Sequence, residues 1–463
     1  MLKQSAGVTE AESFLVAHPD IVAVDMLVPD MNGILRGKQL ARDYLGKLYN
    51  HEGVRLPGSI YLLDSTGQNV TTYDYGTRDG DPDYFCFAVP ETLAPVPWSK
   101  RPTGQVLASM YQGNGTPFFA DPRHVLSAVI ERLAELRLKP TIAIEYEFYL
   151  LDGEAAARDE IRPAASPSSA FRAHQTNVYG VDDLYEFEEL LSDIHAACQL
   201  QSLPAETFVS EYAAGQFEIN LHHCEDALKA CDQAILLERC IKQMARHHGL
   251  VATFMAKPFA EQAGSGLHVH VSMLDENGRN VFGGPIDTRI GRPVSDTMRH
   301  AIGGLIAAMP ESMALFAPNA NSYRRLRPGT YAPTRANWGG DNRTVSLRLP
   351  GQDEKSARIE HRVAGADANP YLVTAAVLAG IHYGIVNEIE PPAPVVGDAY
   401  AQHALEMPVR WSRALDVFHQ GSIIRSYLGD RYTDAFATAR RFECENFHYQ
   451  IQPLDYQWYL RNV

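Results

Sequence analysis

In Thr141 to Leu151 (TIAIEYEFYLL), Ile144, Tyr146, Phe148 and Leu150 share one parity while Glu145 and Glu147 share the other. That is the period-two pattern of a strand with one buried face. The alternation returns twice. Phe217, Ile219 and Leu221 oppose Glu218 and Asn220 in the stretch opened by Glu211, with Gly215 permitting a bend; behind Gly264-Ser-Gly, Leu267, Val269 and Val271 oppose His268, His270 and Ser272. Between these strands the period lengthens. Asp121 and Pro122 read as N-cap and first residue of a helix running to about Arg137, and further helices are expected over about Asp183 to Gln199, Glu225 to His248 and Asp296 to Met309. Asn369-Pro370 caps Tyr371 to Val386, whose 16 residues fall short of the roughly 20 a membrane span needs, so this is a core helix.

The first hundred residues read differently. Thr9 and Glu12 form a capping-box pattern, and IVAVDMLV meets ILRGKQL across Asp30-Met31-Asn32-Gly33, a hairpin signal. Residues 54 to 100 look like short strands and loops. Downstream, Asp152 to Ala170 reads as a mobile polar loop, LHVHVSM is expected to pair through Asp275-Glu276-Asn277-Gly278 with a strand RNVF, and TVSL reads as a strand between Arg343 and Arg348. The change of pattern divides the chain at 110/111 into a small N-terminal domain and a larger one of residues 111–463. Helices folding back over antiparallel strands imply an α+β protein with a mixed sheet or incomplete barrel lined by polar residues, not a doubly wound fold.

Composition narrows the partners. Apolar residues at 45% and charged residues at 21% describe an ordinary globular chain, and 41 Lys and Arg against 56 Asp and Glu give −15, which argues against nucleic acid or an anionic membrane as partner. Six cysteines without C-x-x-C spacing, and an N-terminus without the order of a secretory signal, point to reduced thiols and a cytoplasmic location.

The chemistry lies where acids and arginines gather. Glutamates as close as Glu145 and Glu147 repel one another unless a cation sits between them. Against the acidic background, Tyr323 to Arg362 carries Arg324, Arg325, Arg327, Arg335, Arg343, Arg348, Arg358 and Arg362, and guanidinium forks match carboxylate and phosphate oxygens bidentately. Glu360 lies between Arg358 and Arg362 on one strand face. Hard divalent cations on one wall and anion clamps on the other are phosphoryl-transfer equipment, with carboxylates suiting Mg²⁺ and an imidazole also admitting Mn²⁺. No G-x-G-x-x-G or Walker motif follows a strand, so any ATP is held by other means.

Five motifs in order, E-x-E-F, E-x(3)-G-Q-x-E, G-S-G-x-H-x-H, Y-x-R-L-x-P-G and N-R-x(4)-R-x-P followed by R-I-E-x-R, resemble those of the glutamine synthetase superfamily. The resemblance implies an N-terminal β-grasp domain, a catalytic domain with a curved antiparallel sheet, and a homo-oligomer of two hexameric rings with active sites between neighbours. It implies two or three Mg²⁺ or Mn²⁺ ions per site: Glu147, Glu211 and Glu218 around the one nearer the amino-acid substrate, Glu145, His268 and Glu360 around the one bridging ATP phosphates. Arg343 and Arg348 would clamp the transferring phosphoryl group. Arg325 and Arg362 would grip glutamate, with backbone contacts from Gly264 and with His268 and Tyr331 on the substrate side. His270, Ser272, Lys355 and Arg358, with Arg343, match nucleotide-binding positions.

The departures select within the superfamily. Where glutamine synthetases carry Y-E-A-P, this chain has Tyr331 in YRRLRPGTYAP; where they carry D-G-S-S it has Pro57 in LPGSIY; the asparagine of N-G-S-G is Ala263. A site without both anionic ammonium ligands has less attraction for a small bare cation and more apolar room for a substituted amine. The pattern is similar to glutamate–amine ligases, notably γ-glutamylpolyamine synthetases, which use ATP, glutamate and an amine such as putrescine or spermidine; Glu211 is then the expected base. Glutamine synthesis from ammonia and ligation of ethanolamine or an alkyl amine are the alternatives. The adenylylation motif N-L-Y-D-L is not reproduced around Tyr400.

Overall fold

Asp30 is fully buried in the first hairpin and closes its turn, accepting hydrogen bonds from the backbone N–H groups of Asn32 and Ile34 and from the Arg36 guanidinium. The turn joins β1 (Ala23–Pro29) to β2 (Leu35–Ala41), paired from Pro29↔Leu35 to Ala23↔Ala41 as the sequence predicts. With β3 (Val54–Pro57), β4 (Asp83–Ala88), β5 (Ala94–Pro95) and β6 (Thr103–Tyr111) these strands form a six-stranded sheet ordered β2-β1-β6-β4-β3, with β5 on β6 and β1 parallel to β6. This computed structural model describes residues 5–70, 75–173 and 175–463. Helix α1 (Ser5–Ala17) begins before Thr9, so the capping-box pattern falls inside it; the upstream Ser-Ala-Gly-Val run holds no proline, and the helix extends through it despite Gly7.

The second sheet is built around β7 (Lys139–Asp152), which enters from α2 (Pro122–Glu135) capped by the Asp121 carboxylate on the Arg123 N–H at 2.9 Å. Along the chain follow α3 (Gly153–Ala156), α4 (Val181–Glu186), α5 (Glu188–Leu200), β8 (Ala205–Ser210), β9 (Gln216–Leu221), α6 (Ala227–His247), β10 (Leu250–Thr253) and β11 (Leu267–Leu274). After a ribbon of β12 (Ile286–Asp287) and β13 (Arg292–Pro293) come α7 (Asp296–Phe316), β14 (Arg335–Ala336), β15 (Trp338–Gly339), β16 (Leu347–Arg348), β17 (Ile359–His361) and α8 (Pro370–Val386). β18 (Leu405–Glu406) pairs with β14, and α9 (Trp411–Gln420), α10 (Ile423–Leu428), α11 (Asp430–Tyr449) and α12 (Pro453–Tyr459) finish the chain. The sheet order is β15-β16-β17-β11-β7-β9-β8, with β10 on β7, and every pair but β15–β16 is antiparallel. The architecture is α+β, as expected.

Burial follows the alternation. Ile142, Ile144, Tyr146, Phe148 and Leu150 of β7 are buried, and the rings of Tyr146 and Phe148 meet Phe254 at 5.4 and 5.5 Å. Helix α8 is buried almost all round and is capped by Asn369. Buried Asp232 of α6 joins three helices, pairing with Arg123 of α2 at 2.9 Å and accepting from the Tyr371 hydroxyl of α8 at 2.7 Å. Among the described residues no helix is long and apolar enough to cross a membrane.

Four local expectations are corrected. The helix over 183–199 is two helices broken at Phe187, whose ring is buried against Phe217 at 5.2 Å. The stretch after Asp152 opens as α3 and is tied down by Asp152, which pairs with Arg162 at 3.0 Å and Arg172 at 2.6 Å. The 275–278 hairpin forms as expected, with Asp275 N–H on Arg279 O at 2.9 Å, Leu274 bridged to Asn280 and Val281 N–H on Met273 O at 2.8 Å, but the pairing is limited to this start of RNVF and does not extend into a full strand. TVSL is not the strand either: Asn342 accepts from the Thr344 N–H in a tight turn, and pairing begins only at Leu347.

Candidate active site

The register of the second sheet assembles the site. His268 lies opposite Glu145, Glu147 opposite Glu218, His270 opposite Glu360, and Arg348 opposite Glu360, so side chains from five strands project from the face away from the core. Directly paired residues on antiparallel strands share a face, and a one-residue slip would turn all of them into the apolar core. Two sets of possible ligand atoms, each within 4.8 Å of one another, result: Glu145, His268 and Glu360, and Glu147, Glu218 and His268. His268 is common to both. Its Nδ1 lies 3.3 Å from Glu145 and 3.9 Å from Glu360, and its Nε2 4.0 Å from Glu147. Glu211 follows the end of β8 outside these sets, its charge interacting with Glu147, His268 and Arg343.

The acids differ in their partners. Glu360 is 1% exposed, accepts from Arg348 at 2.6 Å and is paired with Arg362; burial pushes its carboxyl up, but Arg362, His270, His268 and Arg348 outweigh that and hold it at about 2. Glu145 is likewise held well below the carboxylate range, since His270, at 2.9 Å, and His268 overcome its burial. Glu218 has no such partner: burial and then Glu145, Glu147 and Glu211 push it up to about 9. Burial and Glu147 raise Glu211 to about 7. Burial also raises Glu147, although Arg325 and the Gly266 N–H at 2.7 Å oppose it. Buried carboxylate oxygens crowded around one imidazole, several of them pushed up by one another's charge, are what a divalent cation would relieve, so the donor set fits Mg²⁺ or Mn²⁺.

The remaining expected residues surround this cluster. Arg325 is buried, donating to Val363 O at 2.9 Å and Arg362 O at 3.4 Å, and a Cβ at Gly264 would stand 2.7 Å from its Cγ. Arg358 Nε reaches His270 Nδ1 at 3.3 Å; Ser272 is half-buried on the same strand, and Lys355 is exposed. Arg343 is exposed at the rim, where its charge acts on Glu211 and Tyr179. Tyr331 is 56% exposed at a backbone φ of +55°, near Tyr400, whose hydroxyl donates to Ala332 O at 3.0 Å. Three participants were not anticipated. Asp341 holds Arg348 at 2.7 Å, Gly266 supplies an N–H to Glu147, and Tyr179 lies within electrostatic reach of Glu211. Gly266 stands within the G-S-G motif and Asp341 just before the N-R motif, but only tertiary structure brings Tyr179 to the cluster.

Residues 119–459 match the family described as glutamine synthetase, catalytic domain. Gamma-glutamylputrescine synthetase PuuA of Escherichia coli (strain K12) is 41% identical over 459 residues, covering 99% of this chain and 96% of that protein. Glutamate–isopropylamine ligase of Pseudomonas sp is 31% identical over 442 residues, 94% of each chain. Among solved structures, a GmaS/ADP complex superposes with a TM-score of 0.83 at 27% identity, covering 97% of this chain and 98% of the other.

Proposed function

The chain belongs to the glutamine synthetase family and is an ATP-dependent carbon–nitrogen ligase, and on that premise we propose that it joins the γ-carboxylate of glutamate to a primary amine, with a polyamine such as putrescine or spermidine as the leading acceptor. The observation that carries the choice of acceptor is Tyr331: an exposed phenol stands where the ammonia-using enzymes have a carboxylate gate, and Pro57 and Ala263 replace two further polar residues. The putrescine and isopropylamine ligases named above agree with an amine acceptor.

The reaction runs in two steps. The glutamate γ-carboxylate attacks the γ-phosphorus of ATP, releasing ADP and forming γ-glutamyl phosphate; the amine nitrogen, once deprotonated, attacks the acyl carbon and phosphate departs. Glu145, Glu147, Glu218, His268 and Glu360, with Glu211 at the edge, would hold two or three Mg²⁺ or Mn²⁺ ions, which would neutralise charge between the two anionic reactants. Arg325 and Arg362 hold glutamate, beside Gly264. Arg343 and Arg348 stabilise charge on the equatorial phosphoryl oxygens, where preorganised cations contribute most of the rate. His270, Ser272, Lys355 and Arg358 bind the nucleotide. Glu211, raised to about 7 by burial and Glu147 when no cation is bound, is the carboxylate assigned to accept the proton of the incoming ammonium group.

We extend the reading to the assembly: a two-domain chain divided at 110/111, cytoplasmic, in two hexameric rings. Six free thiols and the exposed Tyr449, Ile451, Trp458 and Leu460 near the C-terminus, apolar surface that another copy can cover, support it. Phosphate release with ammonium, putrescine, spermidine, ethanolamine and isopropylamine tests the function. Ammonium as the best acceptor would overturn the assignment.

A further inference from the structure

Arg325 is a buried cation whose guanidinium makes no salt bridge to a carboxylate among the described residues; it donates instead to two backbone carbonyls, Val363 O and Arg362 O. Glu147 and Asp367 act on this guanidinium only from beyond salt-bridge distance, and a buried cation so loosely balanced is costly, so the fold must hold it in place for an anion from outside. Glycines make part of that mould. A Cβ at Gly266 would lie 2.7 Å from Arg325 Nη2, as one at Gly264 would from its Cγ. The remainder is the approach of the chain itself. Arg325 follows a single helical turn, Ser322–Arg324, and its N–H donates to Ser322 O at 3.1 Å.

Asn321 fixes that turn to the Lys257 backbone, and one carboxylate ties it to the strand end beyond Arg362. Asp367 Oδ2 accepts from Ser322 Oγ at 2.7 Å and from Asn319 Nδ2 at 2.8 Å. Asp367 stands in the same segment as Val363 and Arg362, the two carbonyls that Arg325 reads. The segment also fixes the glycine loop, through Ala366 N–H on Ser265 O at 3.0 Å and Leu267 N–H on Ala364 O at 3.0 Å. A single side chain therefore ties the turn that carries the guanidinium to the strand end that orients it. The other oxygen of Asp367, Oδ1, is buried without a hydrogen-bond partner. A half-satisfied buried carboxylate is expensive to keep, and its position is what it provides.

We propose that Asp367 is a positioning residue for glutamate, setting the orientation of Arg325 through Ser322 and Asn319 without touching the substrate. This rests on the reading that Arg325 binds glutamate. In the purified full-length protein with ATP and putrescine, Asp367→Ala and Ser322→Ala should each raise KM for glutamate about tenfold while KM for ATP changes less than about twofold, the split of an effect confined to one substrate. Asp367→Asn keeps a carbonyl oxygen able to accept both bonds and should restore glutamate KM most of the way. The proposal fails if glutamate and ATP constants rise together, if Asn is no better than Ala, or if Ser322→Ala, which removes a single hydroxyl and carries the test should Asp367→Ala not fold, retains the parent glutamate KM. Arg325→Ala separates the two claims. A raised glutamate KM in Arg325→Ala with a parent value in Ser322→Ala sinks only the role of Asp367, whereas an unchanged KM in Arg325→Ala sinks the reading beneath it.

Discussion

Two groups of glutamates share His268 and one sheet face, yet their electrostatics are opposite. Glu360 is paired from within by Arg348 and Arg362, and Glu145 is held low by its contacts with His270 and His268, so both stay ionised despite burial. Glu218, Glu147 and Glu211 face mainly one another and are pushed up, Glu218 to about 9. The first half is held in place by partners of its own before any cation binds, whereas the second has its acids balanced mainly when a cation arrives. Stability and activity are thereby separable within a few ångströms.

The largest expected effects test that separation. Glu360→Gln, Glu218→Gln and Arg343→Ala should each lower turnover by about a hundredfold or more, since each removes charge from where it develops or is balanced. Their metal-free stabilities should diverge. Glu360→Gln leaves Arg348 and Arg362 without their shared acid and should cost about 3–5 kcal/mol, the usual penalty for breaking a buried pair. Glu218→Gln replaces a group that is already protonated at neutral pH, and Arg343→Ala an exposed one, so both should melt within a few degrees of the parent. Equal destabilisation by Glu360→Gln and Glu218→Gln, in thermal melts with chelator present, would erase the distinction.

pH reads the same contrast with a smaller amplitude. The folded value of Glu218 lies above its unfolded value, so the stability it contributes is present below about 4.5 and is lost as pH rises through about 9; Glu211 adds a loss through about 7. Glu360 works the other way, contributing stability above its unfolded value that is lost as pH falls through about 2. Between pH 6 and 9 the metal-free protein should lose melting temperature, Mg²⁺ should flatten the decline by binding the ionised cluster, and Glu218→Gln should show the shallower slope without Mg²⁺. Identical slopes in the parent and Glu218→Gln would remove Glu218 as the cause.

How much of this was legible in the sequence divides along the same line. Period-two alternation names Glu145, Glu147, Glu218, His268 and His270 because strand parity alone decides which face a side chain takes, and the structure brings those residues together. Partners depend on which strands are adjacent, and alternation is silent about that: nothing local says that Glu360 falls opposite both His270 and Arg348, or that Asp341 holds Arg348. The misread strands have different causes. TVSL carries β-branched residues, but Asn342 turns its side chain onto the Thr344 N–H two residues on, while RNVF begins to pair and then leaves its partner as the Asn280 amide reaches Ala357 O far along the chain; neither is visible to residue propensity. Phe187 interrupts a helix for the sake of a contact with Phe217, across thirty residues of chain.

The smallest effect carries the comparison to the mouth of the site. If uncompensated acids are what draw cations inward, adding one at the rim should attract the smallest cation most, because a bare ammonium gains the whole attraction while an alkylammonium must also fit its tail past the new charge. Tyr331 is the place to add it, being 56% exposed, so that its replacement disturbs little packing. Its backbone φ of +55° is already unfavourable for any side chain bearing a Cβ, and glutamate adds no further branching there. Tyr331→Glu should raise kcat/KM for ammonium relative to putrescine by about tenfold, the size of one partly screened charge contact of about 1.4 kcal/mol. Adding salt should shrink the gain, since the rim is open to solvent. Tyr331→Gln, which matches glutamate in shape without its charge, should leave the ratio near the parent value. A ratio that moves equally in both variants would mean that space rather than charge selects the amine, and the electrostatic contrast would then end at the metal cluster.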